Sequence, residues 1–228
     1  MIKPFPGLLA AGGMLLLAGC HAQPSTPLIA AAVRGDTAAI DALLAAGVSV
    51  NQTGAREETA LIWAARAGAI PAIRLLLSKG ADPDLSGGVK GWTPMMHAIH
   101  KHQKEAMLAL IDGGADVNAR ADSGEGETAL MMAAGYGYAG FVQILLERGA
   151  DPRAAQTTRG RETALDFAVS GVSDIDRFTL GDCQTATVKA LLEKAPDLRP
   201  IDNVRGRAAL WLSRLNNCSD VRQLLARN

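Results

Sequence analysis

Apolar residues come in short runs along this chain, and two kinds of run alternate. One is small: Ala64-Ala65, Ala98, Ala133-Ala134 and Ala168. The other is a leucine pair: Leu43-Leu44, Leu76-Leu77, Leu145-Leu146 and Leu191-Leu192. Polar and turn-forming residues separate the two. This pattern predicts pairs of short amphipathic helices, with small faces that let neighbours approach and leucines that fill the space between units. The helix ends are marked as well. Thr59, Thr93, Thr128 and Thr163 precede the small runs, and each hydroxyl is a good N-cap. Pro94 follows Thr93 at the first helical position, where its missing N–H costs nothing. Gly47, Gly80, Gly114 and Gly149 follow the leucine helices, where a left-handed residue ends a helix.

The same markers reveal a repeat. The threonines are spaced 34, 35 and 35 residues apart, and the glycines 33, 34 and 35. Two independent series keep one period, which is the signature of a solenoid. Around the threonines stand "ETALIWAARAG", "WTPMMHAIHKH", "ETALMMAAGYG" and "ETALDFAVSG"; around the glycines stand "LLAAGVSVN", "LLSKGADPD", "LIDGGADVN" and "LLERGADPR". These segments resemble the ankyrin repeat, whose consensus runs Thr-Pro-Leu-His near the start and Gly-Ala-Asp-Val-Asn at the exit. The resemblance implies an all-α solenoid of about six helix-turn-helix units over residues 28–228, with hairpin-like connections. The first unit, "LIAAAVRGDTAAIDALLAAG", and the last, "AALWLSRLNNCSDVRQLLARN", are expected to act as caps. A unit alone cannot bury its apolar face, so stability should come from stacking. Some positions depart from the pattern. Ile62, Met96, Met131 and Asp166 stand where the consensus has His, which should soften the adjoining turns. The segment from Gly171 to Gln184, between the helices of the fifth unit, is expanded.

The N-terminus follows another rule. Lys3 is the only charge before Arg34, and the 13 residues from Gly7 to Gly19 are all Gly, Ala, Leu or Met. That run is too short to span a bilayer, which takes about 20 residues. It fits a secretory signal peptide over residues 1–19. Leu17-Ala18-Gly19-Cys20 resembles the bacterial lipobox, which implies diacylglycerol on Cys20 and cleavage before it. A plain secretory signal with a stray Cys is the weaker alternative, and a core helix weaker still. Residues 20–27 then form the lipidated N-terminus and a short polar linker, whose seven residues 21–27 reach at most about 25 Å. His21 follows the lipidated Cys; by the same resemblance, the periplasmic face of the outer membrane is the expected location.

Charge changes little. The chain has 23 basic and 23 acidic residues, and losing Lys3 with the leader leaves one more acid than base. No basic excess points to nucleic acid. "GYGYAG", Gly135 to Gly140, matches a dinucleotide fingerprint by letter, but it follows a predicted helix where the fingerprint needs a strand. "HAIHKH" brings His97, His100 and His102 together. They could hold a metal, yet zinc sites need three or four ligands with fixed supporting partners, and a solvated helix end is the stronger reading. No catalytic set and no cofactor signature appear. Cys183 and Cys218 remain once Cys20 is acylated. In stacked units their loops would be neighbours, and an oxidising compartment would favour a disulfide between them.

Ankyrin proteins use the concave face, made of turn tips and exposed ends of first helices. By that resemblance the partner-binding set here is Arg56, Glu58, Arg66, Lys90, Trp92, His100, Lys101, Glu125, Glu127, Tyr136, Arg159 and Glu162. Trp92 leads it, because a turn-tip Trp has little core to fill and Trp is enriched at hot spots. The mixed charge suits a protein or peptide. The expectation is therefore a monomeric, non-enzymatic, lipid-anchored interaction module of the bacterial envelope with a protein partner. An immunity or oxidative-stress protection role is a narrower version. A structural tether is a rival, and a metal-binding protein or enzyme built on His97, His100 and His102 is a lesser one.

Overall fold

A computed structural model describes residues 26–158, 161–171, 183–200 and 218–227. Eleven α-helices and no strand fall among the described residues. Five pairs follow in order: α1 (Pro27–Arg34) and α2 (Thr37–Ala45), α3 (Ala60–Ala67) and α4 (Ile70–Ser78), α5 (Pro94–His100) and α6 (Lys104–Asp112), α7 (Ala129–Gly135) and α8 (Ala139–Glu147), α9 (Ala164–Ser170) and α10 (Thr185–Lys194). The last helix is α11 (Ser219–Arg227). The start of the expected sixth pair lies outside the described residues, as do the leader, Cys20 and most of the 171–184 segment. "GYGYAG" falls at the end of α7 and the turn into α8, where a fingerprint would need the end of a strand.

The caps work as local chemistry predicts. The hydroxyls of Thr59, Thr93 and Thr128 accept the N–H three residues on, at 3.3, 3.4 and 3.3 Å. Thr163 differs, because Asp166 reaches back. Its Oδ2 accepts from both the N–H and the hydroxyl of Thr163, at 2.8 Å each. The exit glycines Gly47, Gly80, Gly114 and Gly149 have φ between 83 and 96°. In the fifth unit Ala195 holds that place with φ −140°, so that helix leaves by another path.

Stacking follows residue size. First helices pack on first helices, α1 to α3 to α5 to α7 to α9, and second helices meet second helices at α2–α4, α4–α6 and α8–α10. Ala64, Ala65, Ala98, Ala133, Ala134 and Ala168 are buried between the first helices. The second helices contribute larger pairs three residues apart: Ile73 and Leu76, Met107 and Leu110, Val142 and Leu145, Val188 and Leu191, all fully buried. Three residues is the spacing that puts two side chains on one helix face.

Polar bonds tie the units along both edges. At the exit edge Asn51 Oδ1 accepts Asp82 N–H (2.9 Å), and the Asp84 carboxylate accepts Asp116 N–H (3.1 Å). Asn118 Oδ1 accepts Asp151 N–H (2.8 Å), and its Nδ2 donates to Gly149 O (3.1 Å). Arg153 takes the next position and pairs with Asp197 through Nε and Nη2. At the other edge each connection before a first helix is a hairpin-like finger. Single antiparallel bridges close them: Thr53 with Thr59, Gly87 with Trp92, Arg120 with Thr128, Ala155 with Thr163. The fingers join one another through Gly88 N–H to Arg56 O (2.8 Å), Asp122 N–H to Gly91 O (2.7 Å) and Thr157 N–H to Glu125 O (2.9 Å). Gly91 must be glycine: its φ is +57°, and a Cβ there would lie 2.6 Å from the Asp122 carbonyl carbon.

Between the paired helices the chain normally turns in two or three residues, but α9 ends at Ser170 and α10 begins only at Thr185. A disulfide joins Cys183, just before α10, to Cys218, just before α11. It closes a loop of 35 residues. The chain-entropy relation gives such a closure about 3–4 kcal/mol. Replacing both cysteines by Ser should therefore lower the urea midpoint of the C-terminal transition, and a reducing agent should do the same to the parent chain. Equal midpoints with and without reductant would refute this.

Candidate functional site

The fingers and first helices share one face, the one the resemblance describes as concave. Its centre lies where the finger of the third unit, closed by Gly87 and Trp92 and called the third finger after that unit, meets α3, α5 and α7. Trp63 and Arg66 stand three apart on α3, so they share a helix side. The Arg66 guanidinium lies 4.8 Å from the Trp63 ring centroid, within the range of a cation–π contact. Arg66 also pairs with the buried Glu58 at 3.1 Å. A buried carboxylate needs such a partner.

The third finger presents Trp92 to α5. Its ring meets His97 edge-on, with centroids 5.5 Å apart, and lies 5.0 Å from His100. His100 Nδ1 lies 2.8 Å from the Tyr136 hydroxyl on the next unit. Tyr136 continues to Tyr138 at 5.5 Å, and Tyr138 meets His102 and Phe141. A row of rings thus crosses from the third unit into the fourth. His102 is held at φ +57°, where the other units place Gly68 and Gly137. Its ring stacks edge-on to Tyr138 at 4.4 Å and reaches Phe141 at 5.1 Å, contacts that offset the strained backbone.

His97 is the most enclosed ionisable group here. Its Nε2 reaches Gly87 O at 3.4 Å, so an N–H there donates to the finger. Burial pushes its pKa down to about 3, and the charges of Arg66, His100 and Lys101 add to the effect. The neutral ring is therefore the folded form at ordinary pH. The softening expected from the lost consensus His is partly made good: His97 clamps its finger from one position further on, and Asp166 caps its own helix.

Several expected partner-binding residues are elsewhere than expected. Glu58, Tyr136 and Glu162 are buried, so they support the face from beneath. Trp92 is half-buried, because His97 and His100 give its ring a surface to cover. Arg66, His100, Lys101 and Glu127 are half-buried at the face, while Arg56, Lys90 and Glu125 are exposed on the finger tips. Arg159 lies outside the described residues. The three histidines diverge towards Gly87, Tyr136 and Tyr138, and among the described residues no group of three or more His, Cys, Asp and Glu converges as a metal site. Sequence reasoning missed Trp63 and Val89. The first was signalled by its spacing from Arg66. The second is 81% exposed at the third finger tip, the one large apolar side chain so exposed among the described residues.

Repeat length, caps, fingers and stacking together define a class of protein, the helical repeat solenoid that offers one long side to a ligand. The profile described as ankyrin repeats (3 copies) matches residues 10–87, 28–121 and 82–156. The chain belongs to the ankyrin-repeat family. Among its relatives, human ankyrin repeat and SOCS box protein 3 is 39% identical over 92 residues, 40% of this chain and 18% of the relative. Mouse ankyrin repeat and SAM domain-containing protein 6 is 43% identical over 75 residues, 33% of this chain and 8% of the relative. Glycerophosphocholine phosphodiesterase gde1 of Schizosaccharomyces pombe is 33% identical over 116 residues, 50% of this chain but only 10% of that protein. The chain thus spans a small part of each relative, so the likeness carries the repeats and not an enzyme's chemistry. Ankyrin repeats mark a protein–protein interaction module.

His97 gives the face a pH signature. Between about pH 6.5 and 3 the unfolded chain binds a proton that folded His97 refuses, so stability falls as pH is lowered through that window. The slope from this one group is at most about 1.4 kcal/mol per pH unit. The variant His97→Gln should show a flatter profile than the parent in urea titrations between pH 6.5 and 4. Parallel profiles would mean that His97 protonates in the folded state.

Proposed function

We propose that this chain is a non-enzymatic docking module that holds a protein partner on its finger face while a lipid on Cys20 tethers it to a bacterial envelope membrane. The observation that carries the docking reading is the row of rings from Trp92 through His100 to Tyr136, set beside Arg66 on Trp63 and below the exposed Val89 and Lys90. Aromatic and arginine side chains that are already packed lose little freedom on binding, which makes them good anchors. Exposed charges of both signs, Arg56 and Lys90 against Asp122 and Glu125, rim the same face and suit a polypeptide better than a polyanion. Two shallow grooves lie on the second helices. One, of about 500 Å³, runs by Arg74, Leu77 and Asp112; the other, of about 300 Å³, by Gln143, Glu147 and Lys194. Neither carries aromatic side chains.

Support for the tether is the lipobox-like Leu17-Ala18-Gly19-Cys20 behind a short apolar run. Among the described residues no helix is long and apolar enough to cross a membrane. One acyl chain binds a membrane marginally, whereas two or more hold it stably, so a fully lipidated Cys20 would be a lasting anchor.

Two experiments test the two halves. In cross-linking capture from an envelope fraction, Trp92→Ala and Arg66→Ala should each cut recovery of the bound partner by about tenfold or more. Glu147→Arg, on the second-helix side, should recover it undiminished. Equal recovery by all three variants would refute the finger-face reading. Separately, the full chain expressed in bacteria should partition into detergent and incorporate a labelled fatty acid. Cys20→Ser should lose the label and the detergent partitioning; a labelled Cys20→Ser chain would refute the tether.

A further inference from the structure

Two polar atoms at the centre of the finger face are buried without a hydrogen-bond partner: Trp92 Nε1 and His97 Nδ1. Buried polar atoms are seldom left so, because each costs the free energy of its lost hydration. They belong to rings that touch edge to face at 5.5 Å. Their chemistry is opposite. An indole nitrogen can only donate. His97 spends its one ring proton at Nε2 on Gly87 O, so Nδ1 offers a lone pair and nothing else. Burial keeps the ring neutral, so this division holds at ordinary pH.

The two rings form a closed seam between the finger and α5. The backbone of Trp92 is fixed by its paired bonds with Gly87, at 3.0 and 3.1 Å. The indole meets His97 and His100 and packs partly against the core, and no hydrogen bond fixes its Nε1. Beside it Gly88 lies over the buried His97 ring: a Cβ there would sit 3.6 Å from His97 Cε1 and Nε2. For a ligand to reach both atoms the indole must tilt about its own side-chain bonds and part the two rings. The wall opposite is fixed, since His97 is clamped to Gly87 and Glu58 is locked to Arg66.

We propose that the Trp92–His97 seam is a side-chain subsite that reads the carboxamide of an Asn or Gln on the bound partner. The amide oxygen accepts from Trp92 Nε1, and the amide N–H₂ donates to His97 Nδ1. A carboxylate fails the second contact, because it meets a lone pair with a lone pair. An ester fails it for want of a proton. An amide satisfies both atoms at once, and a site whose buried polar groups are left unpaired by the wrong ligand discriminates strongly against it. The subsite rests on the finger-face reading above and names what that face selects.

The test uses the whole chain labelled with nitrogen-15 and isobutyramide as the probe, with methyl isobutyrate and isobutyrate as its isosteres. Trp92→Phe assigns the indole signal by its loss. Isobutyramide should shift the Trp92 Nε1–H resonance downfield and saturably, with an affinity on the order of tens of millimolar for so small a ligand. The two isosteres should leave it in place at equal concentration. His97→Phe should abolish the response, and His102→Gly, on the far side of α5, should keep it. An indole signal that ignores isobutyramide, or that follows the ester equally, overturns the proposal. So does a coupling across a hydrogen bond from Trp92 Nε1 to His97 Nδ1 in the free protein, which would mean that the two atoms already satisfy each other. Failure here with Trp92→Ala still losing the partner would remove the amide subsite and leave the finger-face reading standing.

Discussion

Close approach of the first helices is the constraint on which everything else depends. Ala64, Ala65, Ala98, Ala133, Ala134 and Ala168 have no side chain beyond Cβ, and they are buried where α3, α5, α7 and α9 meet. The larger pairs on the second helices then fill the space this approach leaves behind. Dispersion and the release of apolar surface from water hold the stack, and both fall off quickly with distance. A bulky residue at any of these alanines would separate two units and carry their fingers apart. The finger face is therefore set by residues that never touch a ligand.

Local features were legible in the sequence, because local chemistry decides them. A Thr before an apolar run and a Gly after a leucine pair mark helix ends whatever lies next to them, and the observed caps fall at Thr59, Thr93 and Thr128. The 34-residue period made the stacking legible too, since each unit repeats the contacts of the last. What remained hidden was decided by contacts outside the local pattern. Glu58 looks like a surface acid until Arg66, eight residues on, draws it under the face. Tyr136 reads as a turn aromatic until His100, 36 residues earlier, meets its hydroxyl. Trp92 was picked for lack of a core to fill, and the histidines of α5 supply one. In each case the deciding partner sits beyond the local window that a residue-by-residue reading uses.

The histidine-rich stretch shows how one helix can do three jobs. His97 and His100 face the finger side, but at different depths: one clamps a carbonyl, the other joins the ring row. His102 lies past the helix end, in a left-handed turn, and its ring lies on the aromatic pair of the following unit. Spacing that suggests a shared ligand thus resolves into three separate structural ties: His97 holds its own unit's finger, while His100 and His102 fasten the third unit to the fourth.

The exit ladder has a further consequence. From each exit glycine to its ladder residue the count never changes: Gly47 to Asn51, Gly80 to Asp84, Gly114 to Asn118 and Gly149 to Arg153 are all four apart. From the ladder residue to the capping Thr the count grows, from 8 to 9 to 10 and 10. One edge of the solenoid is thus a ruler of constant pitch, and the residues added before the capping threonines all enter at the other. Evolution can lengthen or reshape a finger without disturbing the register of any helix. The rim grows stepwise along the chain, giving the two ends of the face different depths, so a long partner could be told which way round to lie.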